Sequence, residues 1–142
     1  MFLVSICFSN EYAAVRCDST YSIGILVDMI GEKNLVLHYE KNSMCEPDGL
    51  RLMRSIWTVA NEMGHEEFKA TKRHKLRDDH LPLIQIARIP TIDIIDFDYP
   101  TKKSNNQYWH TMQDIPENCS AESLGTVGSV LLEWLIQLQE IR

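Results

Sequence analysis

The sequence lacks the cysteine patterns that would define a disulfide scaffold, a zinc finger or a redox centre. It has only four cysteines in 142 residues, and no two of them stand at the CxxC spacing. We therefore expect reduced thiols in a cytosolic type of domain rather than a stapled one. The four are Cys7, Cys17, Cys45 and Cys119.

Two further absences exclude classes of partner. The longest apolar stretch at the start, residues 1–8, is too short to span a bilayer and lacks the basic region of a signal peptide. We expect no membrane span and take the cytoplasm as the default location. The net charge is −6, and the basic residues between positions 69 and 77 are flanked by acids, so we read them as a solvated loop. A nucleic-acid surface would need a basic face, so we expect no nucleic-acid partner.

What the chain does contain is an alternation of short apolar runs and amphipathic stretches, at a length that suits one domain. This order predicts an α/β fold with a mainly parallel, twisted sheet flanked by helices. Residues 1–8 read as a strand or a ragged beginning and residues 9–21 as a loop. The predicted strands are residues 22–29, 35–39 and 91–96; the helices are residues 47–64, 80–87 and 120–141; the connections are residues 65–77 and 97–108.

Acidic residues at the ends of these elements are the first candidates for chemistry. Asp28 closes a predicted strand, and ligands bind at the carboxyl ends of strands in open α/β sheets. Its alternative is a turn aspartate before Gly31. Asp78 and Asp79 precede a predicted helix, so one carboxylate can face a site while the other caps that helix. Two solvent-facing acids opposite nearby basic residues are the alternative.

A histidine beside a tryptophan follows the last predicted strand. A neutral imidazole at His110 can ligate zinc, and the indole of Trp109 can line a pocket. The alternative is a surface-loop histidine beside a half-buried tryptophan. Asp93 and Asp96 lie in an otherwise apolar strand, where each needs a hydrogen-bond partner or exposure at an edge. His38, His65 and His74 have no evident partner in the sequence and receive no role.

Four motifs in this order resemble the zinc aminopeptidase family, which includes the bacterial leucyl aminopeptidases and glutaminyl-peptide cyclotransferase. The resemblance covers roughly residues 22–140 and is to the C-terminal half of such enzymes. The Asp-Asp-His-x-Pro and Trp-His-Thr pair is fairly specific and looks nearer to the cyclase branch. The motifs are Asp28-Met29-Ile30-Gly31, Asp78-Asp79-His80-Leu81-Pro82, Ile89-Pro90 and Tyr108-Trp109-His110-Thr111.

The resemblance implies a role for each matching residue. His110 is then a zinc ligand, and Asp28 is either a ligand of a second zinc or the anchor of the substrate α-amine. Asp78 is the catalytic acid that hydrogen-bonds to the catalytic glutamate, and Trp109 lines the substrate pocket. Two departures concern the substrate: Asp93 stands where animal cyclases carry histidine, and residues 101–107 lengthen the loop before Tyr108.

Family members carry a His-x-Asp pair and a Glu-Glu pair before the strand that ends at Asp28, and this chain has neither. A catalytic zinc site needs at least three protein ligands. We therefore expect a domain truncated at its N-terminus, with residues 1–21 unassigned, zinc binding that is weak or absent, and no activity as an isolated chain. If completed, it would act on a peptide N-terminus. The alternative is a non-catalytic remnant or binding module, and an uncovered sheet edge would favour self-association.

Overall fold

The order of helices and strands follows the predicted alternation, with one additional element of each kind. The computed structural model describes residues 3–15, 21–99 and 108–140. The described elements are α1 (Leu3–Ala14), β1 (Gly24–Asp28), β2 (Leu37–Tyr39), α2 (Pro47–Glu62), β3 (Phe68–Lys72), α3 (His80–Pro82, continued by a π-helical turn at Leu83–Ala87), β4 (Thr91–Ile95), a 3-10 turn (Pro116–Asn118) and α4 (Ala121–Glu140).

The strands pair in parallel, in two ladders. β1 pairs with β4, with Gly24 opposite Thr91 and Asp28 opposite Ile95. β2 pairs with β3, starting at Leu37 opposite Phe68. Every residue of β4 is buried, as expected of a central strand in a parallel sheet. The prediction of a parallel α/β fold is confirmed.

The core lies between the strands and the apolar faces of α2 and α4. The spacing of apolar residues in α2 puts Met53, Ile56 and Ala60 on one face, and all three are fully buried. Trp134 of α4 packs into the same cluster, and its indole N–H donates to Ser55 Oγ at 2.9 Å. Other members of the core are Leu35, Leu37, Leu52, Trp57, Val59, Phe68, Ile92, Ile94, Val127 and Val130.

The end of α2 and the start of α4 carry capping hydrogen bonds. Gly64 follows α2 with a φ of +82°, a left-handed conformation that glycine adopts without strain. The N–H of Gly64 and that of His65 donate to the last carbonyls of α2 at 3.0 and 2.9 Å, which is the Schellman arrangement. At the start of α4, the N–H of Ser123 donates to Ser120 Oγ at 3.3 Å. The predicted last residue of this helix, 141, lies outside the described residues.

Two sequence predictions were wrong. Residues 3–14, expected to be strand and loop, form α1, whose apolar side chains lie all around the helix and therefore show no helical periodicity. The connection predicted at residues 65–77 contains β3. Only Phe68 of this strand is buried, so its sequence shows no alternation of apolar and polar residues.

Three observations complete the description. Within residues 3–15, 21–99 and 108–140, no helix is both long and apolar enough to cross a membrane. Cys7, Cys45 and Cys119 are exposed free thiols. Cys17 and the lengthened loop at residues 101–107 lie outside the described part of the chain.

Candidate active site at the carboxyl end of β1

Asp28 closes β1 and is half-buried among other carboxylates. Burial raises its pKa, and the charge of Asp78 raises it further, whereas a hydrogen bond from the backbone N–H of Met29 lowers it. The charges of Asp79 and Asp114 add smaller upward contributions. The structure thus brings both members of the Asp78–Asp79 pair into electrostatic range of Asp28, and the net effect is a raised pKa.

The backbone leaves β1 through a strained residue. Met29 has a φ of 51°, in the left-handed region that a residue with a Cβ rarely adopts. His110, the predicted zinc ligand, has a φ of 57° in the same region. Strain of this kind concentrates at functional sites, and here it occurs next to one candidate and at another.

Asp78 and Asp79 are both half-buried and take different partners. The backbone N–H of Asp79 donates to Asp78 Oδ1 at 2.7 Å, and the N–H of Leu81 donates to the Asp78 carbonyl at 3.0 Å. Ser5 Oγ of α1 donates to Asp79 Oδ1 at 2.7 Å. The side chain of Asp79 makes no capping hydrogen bond to α3, so the suggested cap is not formed. Asp79 instead ties α1 to this segment.

His110 stacks on its neighbour Trp109. The centroids of the two rings are 4.2 Å apart, with an angle of 24° between the ring planes. The ring of Phe97 contacts Trp109 edge-on, with the two centroids 5.7 Å apart. Trp109 and His110 are both exposed, and Trp109 keeps 43% of its surface accessible. Stacking covers a face of the imidazole, while its nitrogens lie in the ring plane. The convergence of His110 with Asp28 stays a prediction.

A cavity of about 210 Å³ lies beside Asp28. Three carboxylates line it, and such a concentration of negative charge favours a cationic ligand. The lining residues are Asp28, Met29, Gly31, Glu32, Tyr99, Asp114 and Cys119.

A buried group of ionisable side chains, those of Glu40, His80 and Asp93, was not singled out from the sequence as a cluster. His80 is fully buried, with Nε2 3.4 Å from Glu40 Oε2 and Nδ1 3.5 Å from Asp93 Oδ2. Neither ring nitrogen makes a well-aligned hydrogen bond within the described residues, so these contacts are mainly electrostatic. One signal in the sequence could have drawn attention to Glu40, though not to its contacts: Glu40 directly follows β2, much as Asp28 ends β1.

Asp93 of β4 and Asp96, which directly follows this strand, differ in how the cost of burying their carboxyl groups is compensated. Burial raises the pKa of Asp96 to about 7, although its carboxylate accepts from the N–H of Val36 at 3.0 Å and that of Asp98 at 3.1 Å. Burial and then the charges of nearby acids, Asp78 first, raise the pKa of Asp93 to about 8. Asp96 therefore has the partners that its position requires, whereas in the part of the chain that the structure describes the carboxyl group of Asp93 has only the nearby His80.

The histidines without an assigned role do have partners. His38 Nδ1 lies 2.7 Å from Thr71 Oγ1. His74 Nε2 lies 3.2 Å from Asp98 Oδ1, off the hydrogen-bond direction, and His65 Nδ1 lies 3.8 Å from a carboxylate oxygen of Glu67. The contact of His38 joins β2 to β3, and that of His74 joins the segment after β3 to the loop after β4.

The donor set for a metal is incomplete in the described part of the chain. It contains no group of three or more His, Cys, Asp or Glu side chains that could hold a metal ion. The predicted ligands Asp28 and His110 are two, and a catalytic zinc needs at least three protein ligands. The residues present therefore do not fit a zinc site by themselves.

Parallel strands with a carboxylate-lined cavity at the end of β1 define an α/β protein with a candidate ligand site at the carboxyl end of its sheet. The particular family follows from comparison: the model of peptidase family M28 matches residues 8–135, and the chain belongs to this family. No curated protein matches the chain.

Solved structures of two kinds of family member share the fold. Glutaminyl cyclase from Fimbriiglobus ruber is 29% identical with a TM-score of 0.82, covering 94% of this chain and 43% of that one. Glutaminyl cyclase from Tannerella forsythia is 32% identical (TM-score 0.76; 89% and 44%). A leucine aminopeptidase precursor from Bacteroides thetaiotaomicron is 29% identical (TM-score 0.79; 93% and 42%). The resemblance drawn from the motifs is confirmed, and the chain spans under half the length of these three proteins.

Proposed function

We propose that this chain forms the C-terminal part of a zinc-dependent enzyme acting on peptide N-termini, either a glutaminyl-peptide cyclotransferase or a metallo-aminopeptidase. The observation that carries the proposal is the cavity beside Asp28, which carries three carboxylates at the carboxyl end of a parallel strand. A peptide N-terminus is a cation at neutral pH, and this cavity offers the charge that it needs.

The residues of the chain have distinct parts in this proposal. Asp28 holds the α-amine of the peptide in the cyclase case, where the positive charge of the amine would offset the neighbouring acids that raise the pKa of Asp28. Asp78, whose charge acts on Asp28, is the acid that assists proton transfer. Trp109 presents an exposed indole that can line the pocket for the first side chain.

The zinc belongs to the proposal only for a completed site. His110 would contribute one ligand, Asp28 would contribute another only in the aminopeptidase case, where it does not hold the amine, and a further part of the protein would contribute the other ligands and the general base. On this proposal the 142-residue chain alone neither hydrolyses amino-acid anilides nor cyclises N-terminal glutamine.

A non-catalytic binding module is the second candidate, because the amine-binding cavity does not require the missing ligands. The two candidates agree on peptide binding and differ on turnover. Binding is tested by calorimetry with a glutamine-initiated peptide and its N-acetylated form. The free peptide should bind and the acetylated one should not, and Asp28→Asn should weaken the binding. Equal binding of both peptides would refute recognition of the amine.

Turnover is tested in a chimera. The portion of the Fimbriiglobus ruber glutaminyl cyclase that this chain does not cover is fused to the chain, and the fusion is assayed with zinc on both substrate types. Cyclisation supports the cyclase reading, and hydrolysis supports the aminopeptidase reading. A well-folded, zinc-loaded chimera that does neither would favour the binding module.

A further inference from the structure

The segment of residues 76–80, which carries Asp78 and Asp79, is held at its first residue by the loop after β2. The backbone N–H of Leu76 donates to Glu40 Oε1 at 2.9 Å. The Leu76 carbonyl accepts from Asn42 Nδ2 at 2.5 Å. Both backbone groups of Leu76 are therefore fixed by residues 40–42.

The same carboxylate reaches the last residue of the segment. Glu40 Oε2 lies 3.4 Å from Nε2 of His80, which is fully buried and flanked on its other side by Asp93. The two oxygens of Glu40 thus contact the two ends of residues 76–80, with Asp78 and Asp79 between them. A contact to a carboxylate is electrostatically stronger in such a dry position than the same contact in water.

Glu40 is itself held rigidly. Its Oε1 accepts from the N–H of Asn42 at 3.0 Å, and its Oε2 accepts from the N–H and Oγ of Ser43 at 2.7 and 2.8 Å. Burial alone raises the pKa of Glu40, but the His80 contact and the backbone N–H groups of Asn42, Leu76 and Ser43 outweigh it and lower the pKa to about 2. The carboxylate therefore stays charged.

We infer that Glu40 is a positioning residue, which fixes Asp78 by holding both ends of residues 76–80. The importance of Asp78 rests on the proposed function. The placement of Asp78 by Glu40 does not rest on the proposed function, and it can be measured without any assay of turnover. Glu40 acts on Asp78 indirectly, because it contacts the two ends of residues 76–80 and neither of the acids between them.

The test is amide NMR of the 142-residue chain and its Glu40→Gln variant. The Asp79 N–H reports directly on Asp78, because it donates to Asp78 Oδ1 at 2.7 Å. In the variant we expect its native-state chemical shift to move toward the value of an unbonded amide. Hydrogen exchange at Leu76, Asp79 and Leu81 should accelerate by about tenfold or more, while the amides of α2 and α4 keep their rates.

A matched control is Glu133→Gln in α4. It also removes one carboxylate charge, and within the described residues the only side chain that hydrogen-bonds to this carboxylate is Gln137. It should leave the Asp79 amide unchanged. If Glu40→Gln does not fold, Asn42→Ala removes only the contact to the Leu76 carbonyl, and local acceleration at residues 76 and 77 is then expected. An unchanged Asp79 shift, or exchange that rises equally throughout the chain, would overturn the inference. Failure of the peptide-binding or chimera assays would instead count against the proposed function.

Discussion

Asp93→Asn should change how stability depends on pH. The carboxyl group of Asp93 is fully buried in β4, and neither of its oxygens makes a hydrogen bond within the described residues. Its pKa is raised from the ordinary 3.8 to about 8, by burial first and then by the charges of nearby acids. Asparagine keeps the size of the side chain and cannot ionise.

The sign follows from the raised pKa. Between pH 4 and 8 the folded protein keeps a proton on Asp93 that the unfolded chain releases, so stability is fully present below about pH 4 and is lost as the pH rises through 8. At about 1.4 kcal/mol for each pKa unit, the difference sets a ceiling of roughly 6 kcal/mol. Relaxation of the neighbouring carboxylates reduces this, and we expect on the order of 3 kcal/mol.

The assay is urea unfolding of the wild type and the variant at pH 5, 7 and 9. The two should have similar free energies of unfolding at pH 5, and the variant should be the more stable at pH 9. In the variant, a smaller decrease of the unfolding free energy with rising pH should remain, because Asp96, with a pKa of about 7, destabilises the fold in the same direction. Asp48→Asn, at an exposed position of α2, should follow the wild type. A pH profile of Asp93→Asn parallel to the wild type would refute the reasoning.

Three further predictions concern packing, metal and turnover. Gly49→Ala should lower the free energy of unfolding by roughly 1–3 kcal/mol in urea titrations, because its Cβ would lie 2.2 Å from the carbonyl oxygen of Ser43. Calorimetry with zinc at neutral pH should show weak binding or none, and tight one-to-one binding that His110→Ala abolishes would contradict this. In an active chimera, Asp78→Asn and His110→Ala should each lower kcat/KM roughly 100-fold or more. Asp79→Asn should cost little, since its amide oxygen can still accept from Ser5, and an equal loss in all three variants would contradict the assigned roles.

The elements that could be predicted from the sequence are those whose burial shows as a pattern. β1 and β4 are apolar runs, and α2 places Met53, Ile56 and Ala60 at helical spacing on a buried face. β3 is held by backbone pairing with β2 while most of its side chains are exposed, so no pattern marks it. α1 is apolar on all sides and equally lacks a period.

The candidate site divides in the same way. The position of Asp28 at the end of β1 could be predicted because it closes an apolar run, whereas Asp78 was singled out as part of a motif and its role stays a prediction. The contacts of Glu40, His80 and Asp93 could not, since they come from three elements that meet only in the folded chain. The sequence around His80 is the same whether its side chain is buried between acids or exposed to solvent, so it does not reveal the environment. What decides its environment is the packing of β2, α3 and β4.

The parallel pairing of β1 with β4 also bears on the order of folding. Gly24 is paired with Thr91, while β2, α2 and β3 all lie between them in the chain. Closing so long a loop is entropically costly, and non-local pairings of this kind slow the folding of a domain. α2 can form earlier, because its contacts include those within the helix and those with β3, which follows it closely in the chain. The acidic cavity beside Asp28 should therefore be among the last features to assemble, and in refolding experiments peptide binding should return after the fluorescence change of the buried Trp57.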